Sequence, residues 1–170
     1  AFALELPALK GGGFEGQASV QYARALLLAG RDQEAAQFSR NYWEHEGAGK
    51  WRHEIVRLLI LSVRRMEDLD AFHALKAQLG REKAPAWLMR YYHRNGVVWA
   101  LQDGRHDDAV SHLAKYAKRG LKGRLRLEAD LWRGIIHHEL GDQSAAVDAW
   151  MRVVQRDPNH YFGLVAREFI

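Results

Sequence analysis

Residues 125–158 decide the fold: Leu125-Arg-Leu127-Glu-Ala-Asp-Leu131-Trp-Arg-Gly134-Ile135-Ile-His-His-Glu-Leu140-Gly141-Asp142-Gln-Ser-Ala-Ala146-Val-Asp-Ala149-Trp150-Met-Arg-Val153-Val-Gln-Arg-Asp157-Pro158. Leu127, Leu131 and Ile135 recur at the spacing of one helix face. Gly141 then suits the left-handed residue that closes a helix, and Asp142 offers a carboxylate to the first amides of the next. Ala146, Ala149, Trp150 and Val153 form a second apolar stripe. Asp157-Pro158 stops it, because a residue before proline is pushed out of helical geometry. The stretch predicts two helices, 125–140 and 143–155, joined by a tight turn.

The turn recurs upstream. Gly30-Arg-Asp-Gln-Glu-Ala35, Met66-Glu-Asp-Leu-Asp-Ala71 and Gly104-Arg-His-Asp-Asp-Ala109 match Gly141-Asp-Gln-Ser-Ala-Ala146, with anchor alanines 36, 38 and 37 residues apart. A fixed period of this size marks a chain of stacked supersecondary units. Further helix pairs are predicted at 20–28 with 35–43, 55–63 with 69–79, and 87–101 with 109–116. Sustained period-two alternation is missing, so strands are not expected. The predicted fold is all-α: a right-handed superhelix of antiparallel helix hairpins, about four repeats over residues 17–170, after an N-terminal segment or linker, 1–16.

Composition narrows the chemistry. The 170 residues hold no Cys, so no disulfide, thiol nucleophile or thiolate metal site is available. A net charge of +4 is a mild excess, which does not favour nucleic acid as partner. No apolar run reaches the roughly 18 residues of a membrane span. The sequence starts at Ala1 with no basic-then-apolar leader, which reads as a processed chain or an excised piece.

The last unit resembles a tetratricopeptide repeat: Gly134, Gly141, Ala146, Trp150 and Pro158 stand where that motif has its small, Gly, Ala, aromatic and Pro positions, and Gly104 and Ala109 repeat part of it. The period is longer than the motif's, and the first two units keep only fragments of it. A narrower likeness covers roughly the last 45 residues. Glu128-Ala-Asp-Leu-Trp132-Arg-Gly134, Leu140-Gly141-Asp142, Ala149-Trp150 and Tyr161-Phe162-Gly163-Leu164-Val-Ala166-Arg167 are similar to the terminal superhelical repeats of soluble lytic transglycosylases. That likeness implies a periplasmic or cell-envelope scaffold of a bacterial peptidoglycan enzyme. The family's catalytic Gln-Glu-Ser type motif is absent, so no catalytic residue is carried over.

Other constellations read as structural. Nine His offer no His-Glu-x-x-His spacing for a metal, His137 and His138 being neighbours on different faces. Gly11-Gly12-Gly13 and Gly47-Ala-Gly49-Lys50 read as linkers, since Glu44 and Trp51 occupy the first Gly and hydroxyl places of a phosphate loop. No cofactor is implied. Lys115, Lys118, Arg119, Lys122, Arg124 and Arg126 form an acid-free basic run: an anion patch, or else complements to a helix C-terminus and solvated surface. The six Trp are expected mostly to pack helix pairs together.

The resemblance to the repeat family places binding on a concave face, lined by the first helix of each pair. Its inward positions carried onto this sequence include Arg24, His53, Arg64, Tyr91, Arg94 and His138. Arg24, Arg64 and Arg94 then form either a ladder for a peptide's carboxylates or ordinary surface arginines over a packed groove. The expected function is a non-catalytic scaffold or adaptor for a protein or peptide partner. The alternative is the superhelical part of a peptidoglycan lytic transglycosylase or related cell-wall protein. The apolar end at Phe169-Ile170 invites cover, by further sequence or by a second copy in a homodimer.

Overall fold

Each turn marked by the sequence closes a helix in the same way. The structure, a computed structural model, describes residues 14–45, 51–118 and 120–170. Among these residues there are nine helices and no strand: α1 (Phe14–Leu28), α2 (Asp32–His45), α3 (Arg52–Arg65), α4 (Leu69–Arg81), α5 (Ala86–Gln102), α6 (His106–Ala117), α7 (Gly123–Glu139), α8 (Gln143–Arg156) and α9 (Tyr161–Arg167). No described helix is long and apolar enough to cross a membrane. The linker expected at 1–16 lies outside the described residues up to 13, and α1 starts at Phe14. The glycine runs at 11–13 and 47–49 lie outside them too.

The turns fix the true register. Gly30, Glu67, Gly104 and Gly141 all have positive φ, of 72°, 57°, 67° and 79°. After each, the next amide reaches back to a carbonyl of the preceding helix: Arg31 to Leu26, Asp68 to Val63, Arg105 to Ala100 and Asp142 to His137. Four residues on from those amides, Ala35, Phe72, Ala109 and Ala146 each bond back to the residue that opens the turn. These positions are 37 residues apart every time. The 36 and 38 of the alanine count come from matching Met66 to Gly and Ala71 to Ala35. Glu67 holds the left-handed place instead, and Phe72 is the buried counterpart of Ala35.

Side chains in the left-handed region cost about 1 kcal/mol that glycine avoids. Glu67 is exposed, so Glu67→Gly is expected to stabilise its unit by about 0.5–1 kcal/mol. Gly141→Ala, with open space around it, is expected to destabilise by about 1 kcal/mol, and urea unfolding of both variants checks the pair.

The chain divides between Ala84 and Pro85 into two compact units. In the first, α1, α2 and α3 bury Val20, Ala23, Leu26, Ala35, Ile55 and Leu58 in one cluster. Glu82, just past α4, ties that end of the unit to α2 and α3: Trp43 Nε1 donates to it at 2.8 Å and Arg52 Nη2 lies 2.9 Å away.

In the second unit α5, α6 and α7 share a core of Val97, Ala100, Ala109, Leu113, Tyr116 and Ile136. Next to it α7, α8 and α9 enclose Leu131, Ala146, Trp150, Val153, Phe162 and Ala166. Trp150 lies against the bare backbone of Gly134, where an added Cβ would come within 2.2 Å of its Nε1. Phe169, after α9, stacks on the same indole at 4.9 Å between centroids. Trp43, Trp99 and Trp150 are buried, as packing residues should be, whereas Trp87 is 40% exposed.

Candidate functional site

The second unit carries a cleft of about 470 Å3 between α5 and α7, floored by Tyr116 of α6. From α5 it is lined by Trp87, Arg90, Tyr91 and Arg94, spaced three and four residues apart so that one helix face presents them all. From α7 come Arg124, Leu125 and Glu128. Leu125 is 40% exposed, so the cleft offers apolar surface as well as charge.

Glu128 organises the floor. Its residue is only 4% exposed, yet both carboxylate oxygens are used: Arg94 Nε donates to Oε1 at 2.6 Å and the Tyr116 hydroxyl to Oε2 at 2.8 Å. A buried carboxylate is tolerated when charge and hydrogen bonds satisfy it in this way. Burial, and then the adjacent Glu128 carboxylate, push the Tyr116 phenol well above its ordinary value, so it stays a donor. Arg90 and Arg124 meet no carboxylate among the described residues; the Arg124 guanidinium lies 5.8 Å from the Phe162 ring centroid. Both line the cleft, Arg90 close enough to act on the Tyr116 phenol.

This cleft gathers Tyr91 and Arg94 from the groove positions and Arg124 from the basic run. Trp87, Arg90, Tyr116, Leu125 and Glu128 were not singled out by sequence as one site. The other groove positions are elsewhere. Arg24 is half-exposed, 3.7 Å from Glu54, and His53 and Arg64 are half-buried on α3. His138, exposed at the end of α7, hydrogen-bonds Gln143 at 2.9 Å.

Arg24, Arg64 and Arg94 do not share one place in the repeat. Counted back from Gly30, Glu67 and Gly104, the three arginines stand six, three and ten residues before their turns. At 1.5 Å per residue their depths differ by about 4.5 to 10 Å, so they do not form one rung per repeat. Arg57, on Glu54 at 3.0 Å, is the register match of Arg94.

The basic run also divides. Lys115, Lys118, Lys122, Arg124 and Arg126 are exposed, and Arg119 lies outside the described residues. Since α7 begins at Gly123, Arg124 and Arg126 point about 160° apart around it. Arg124 enters the cleft, whereas Arg126 borders a separate depression of about 200 Å3 beside Asp130 and Arg133. Lys115, in the last turn of α6, donates to Ser111 Oγ at 3.1 Å.

Residues 128–160 match the family described as tetratricopeptide repeat, a span running from Glu128 in α7 through α8 to the start of α9. With the helical register this makes the fold a tetratricopeptide-like helical repeat. Neither the curated proteins nor the solved structures compared with the chain give a match, and the likeness to lytic transglycosylase repeats gains no support.

Proposed function

We propose that the chain is a non-catalytic interaction scaffold that engages a partner protein through the cleft between α5 and α7. The observation that carries this reading is the lining itself. Trp, Tyr and Arg side chains converge on a concavity within the usual range of binding sites, roughly 300–1,000 Å3, and a buried carboxylate fixes part of it in place. The tetratricopeptide-like repeat supports a protein as partner, since helical repeats present extended surfaces to other chains.

The test is selection of random peptides on the immobilised full chain, with affinity then measured against a variant whose cleft is filled. Leu125→Trp places a bulky uncharged ring in the opening without touching the Glu128 network or changing the charge of the cleft. Selected peptides should lose at least about tenfold in affinity, near 1.4 kcal/mol. Peptides that bind the variant unchanged, or glycan strands retained in place of any peptide, would overturn the reading.

A further inference from the structure

The cleft's charge does not balance. Its lining holds three guanidiniums, from Arg90, Arg94 and Arg124, against the single carboxylate of Glu128. Arg94 is committed to that carboxylate, which also takes the Tyr116 hydroxyl, so the floor is internally neutral. Two positive charges are left over, one on each wall: Arg90 on α5 and Arg124 on α7. Beside them lie the exposed parts of Trp87 and Leu125, each 40% exposed.

From this arrangement we infer that the occupant is an acidic peptide segment of the partner, with two side-chain carboxylates on Arg90 and Arg124 and an apolar residue over Leu125 and Trp87. The inference rests on the scaffold reading and names its ligand class. A guanidinium receives a carboxylate through two parallel N–H bonds, and two walls of like charge select a diacidic segment over a neutral one. A neutral or basic segment would gain nothing from the walls and would leave Arg90 and Arg124 unneutralised, since Glu128 is already taken by Arg94 and Tyr116. Nucleic acid fits less well, because a phosphate backbone is held by a long basic track with stacking rings, whereas here Arg124 and Arg126 face different ways.

The probe is a fluorescein-labelled, C-terminally amidated Gly-Asp-Glu-Phe-Glu-Gly peptide, compared with its Asn and Gln counterpart by anisotropy on the full chain. The acidic peptide is expected to bind at least about tenfold tighter at low salt and to weaken as salt shortens the screening length. Arg90→Glu with Arg124→Glu should abolish the preference, and Arg90→Ala with Arg124→Ala should reduce it, each at a melting temperature like the wild type's. Equal binding of the two peptides, an unchanged preference in a folded variant, or tighter arginine-dependent binding of oligothymidylate or phosphatidylserine vesicles would overturn the inference. Peptides from the random selection that compete for the cleft but carry no acid would overturn it too, leaving the scaffold reading intact. If no peptide binds at all, both readings fall together.

Discussion

Trp150→Ala is expected to cost about 3–5 kcal/mol in urea unfolding, whereas Trp150→Phe should cost less than about 1.5 kcal/mol. The asymmetry follows from what the indole does. Trp150 is 1% exposed and fills the space among α7, α8 and the chain after α9, so truncation opens a cavity lined by Leu127, Leu131 and Phe162 that the helices cannot close. Its Nε1, however, is buried with no hydrogen-bond partner. Phe keeps most of the apolar volume and removes a donor whose desolvation is uncompensated, offsetting part of the loss. Gly134→Ala puts a methyl 2.2 Å from that Nε1, against a rigid ring rather than a flexible tip, so α7 and α8 must separate. The substitution should therefore destabilise by about 2–4 kcal/mol in the wild type and by much less once Trp150 is Ala. Additive costs in that double-mutant cycle would mean that the close approach seen at Gly134 is not what holds the hairpin.

The same contact shows why this part of the molecule was readable from sequence. Gly134 and Trp150, Gly141 and Asp142, Ala146 and Pro158 each do their work within one hairpin, where spacing along the chain is spacing in space. Asp142 accepts from Ala145 N at 3.1 Å, as its place before the helix requires. The second repeat was harder to phase because a left-handed residue need not be glycine. Glu67 pays that conformational cost, and nothing in its identity announces it. The site was harder still. Trp87, Tyr116 and Glu128 come from three helices, and an acid on a helix of mixed polarity gives no sign of being buried until Arg94 and Tyr116 are seen to meet it. Arg124 and Arg126 read as one patch while the helix was expected to start at 125; starting at Gly123 instead turns them to different sides.

Glu128→Ala is expected to destabilise the second unit by about 2–4 kcal/mol, because it strands a buried phenol hydroxyl and removes the link that joins α5 and α6 to α7. The half-exposed Arg94 can turn to water and contributes little to the loss. The damage should come from Tyr116, and this is separable. Tyr116→Phe with Glu128→Leu replaces the polar pair by apolar groups of similar volume and should recover most of the stability. Alkali gives a second readout. A tyrosine whose folded pKa is raised contributes stability that is complete below its unfolded value, near pH 10, and is lost as the pH climbs from there toward the folded value. The wild type should thus weaken above about pH 10, and the doubly apolar variant less steeply, with Tyr92, also raised by burial, supplying what remains. The recovered variant is also the informative one for binding. If it folds and prefers the acidic peptide at least as strongly, Arg90 and Arg124, with Arg94 released beside them, suffice for recognition; if it folds and loses the preference, guanidinium charge in the cleft is not what selects the ligand and the inference falls.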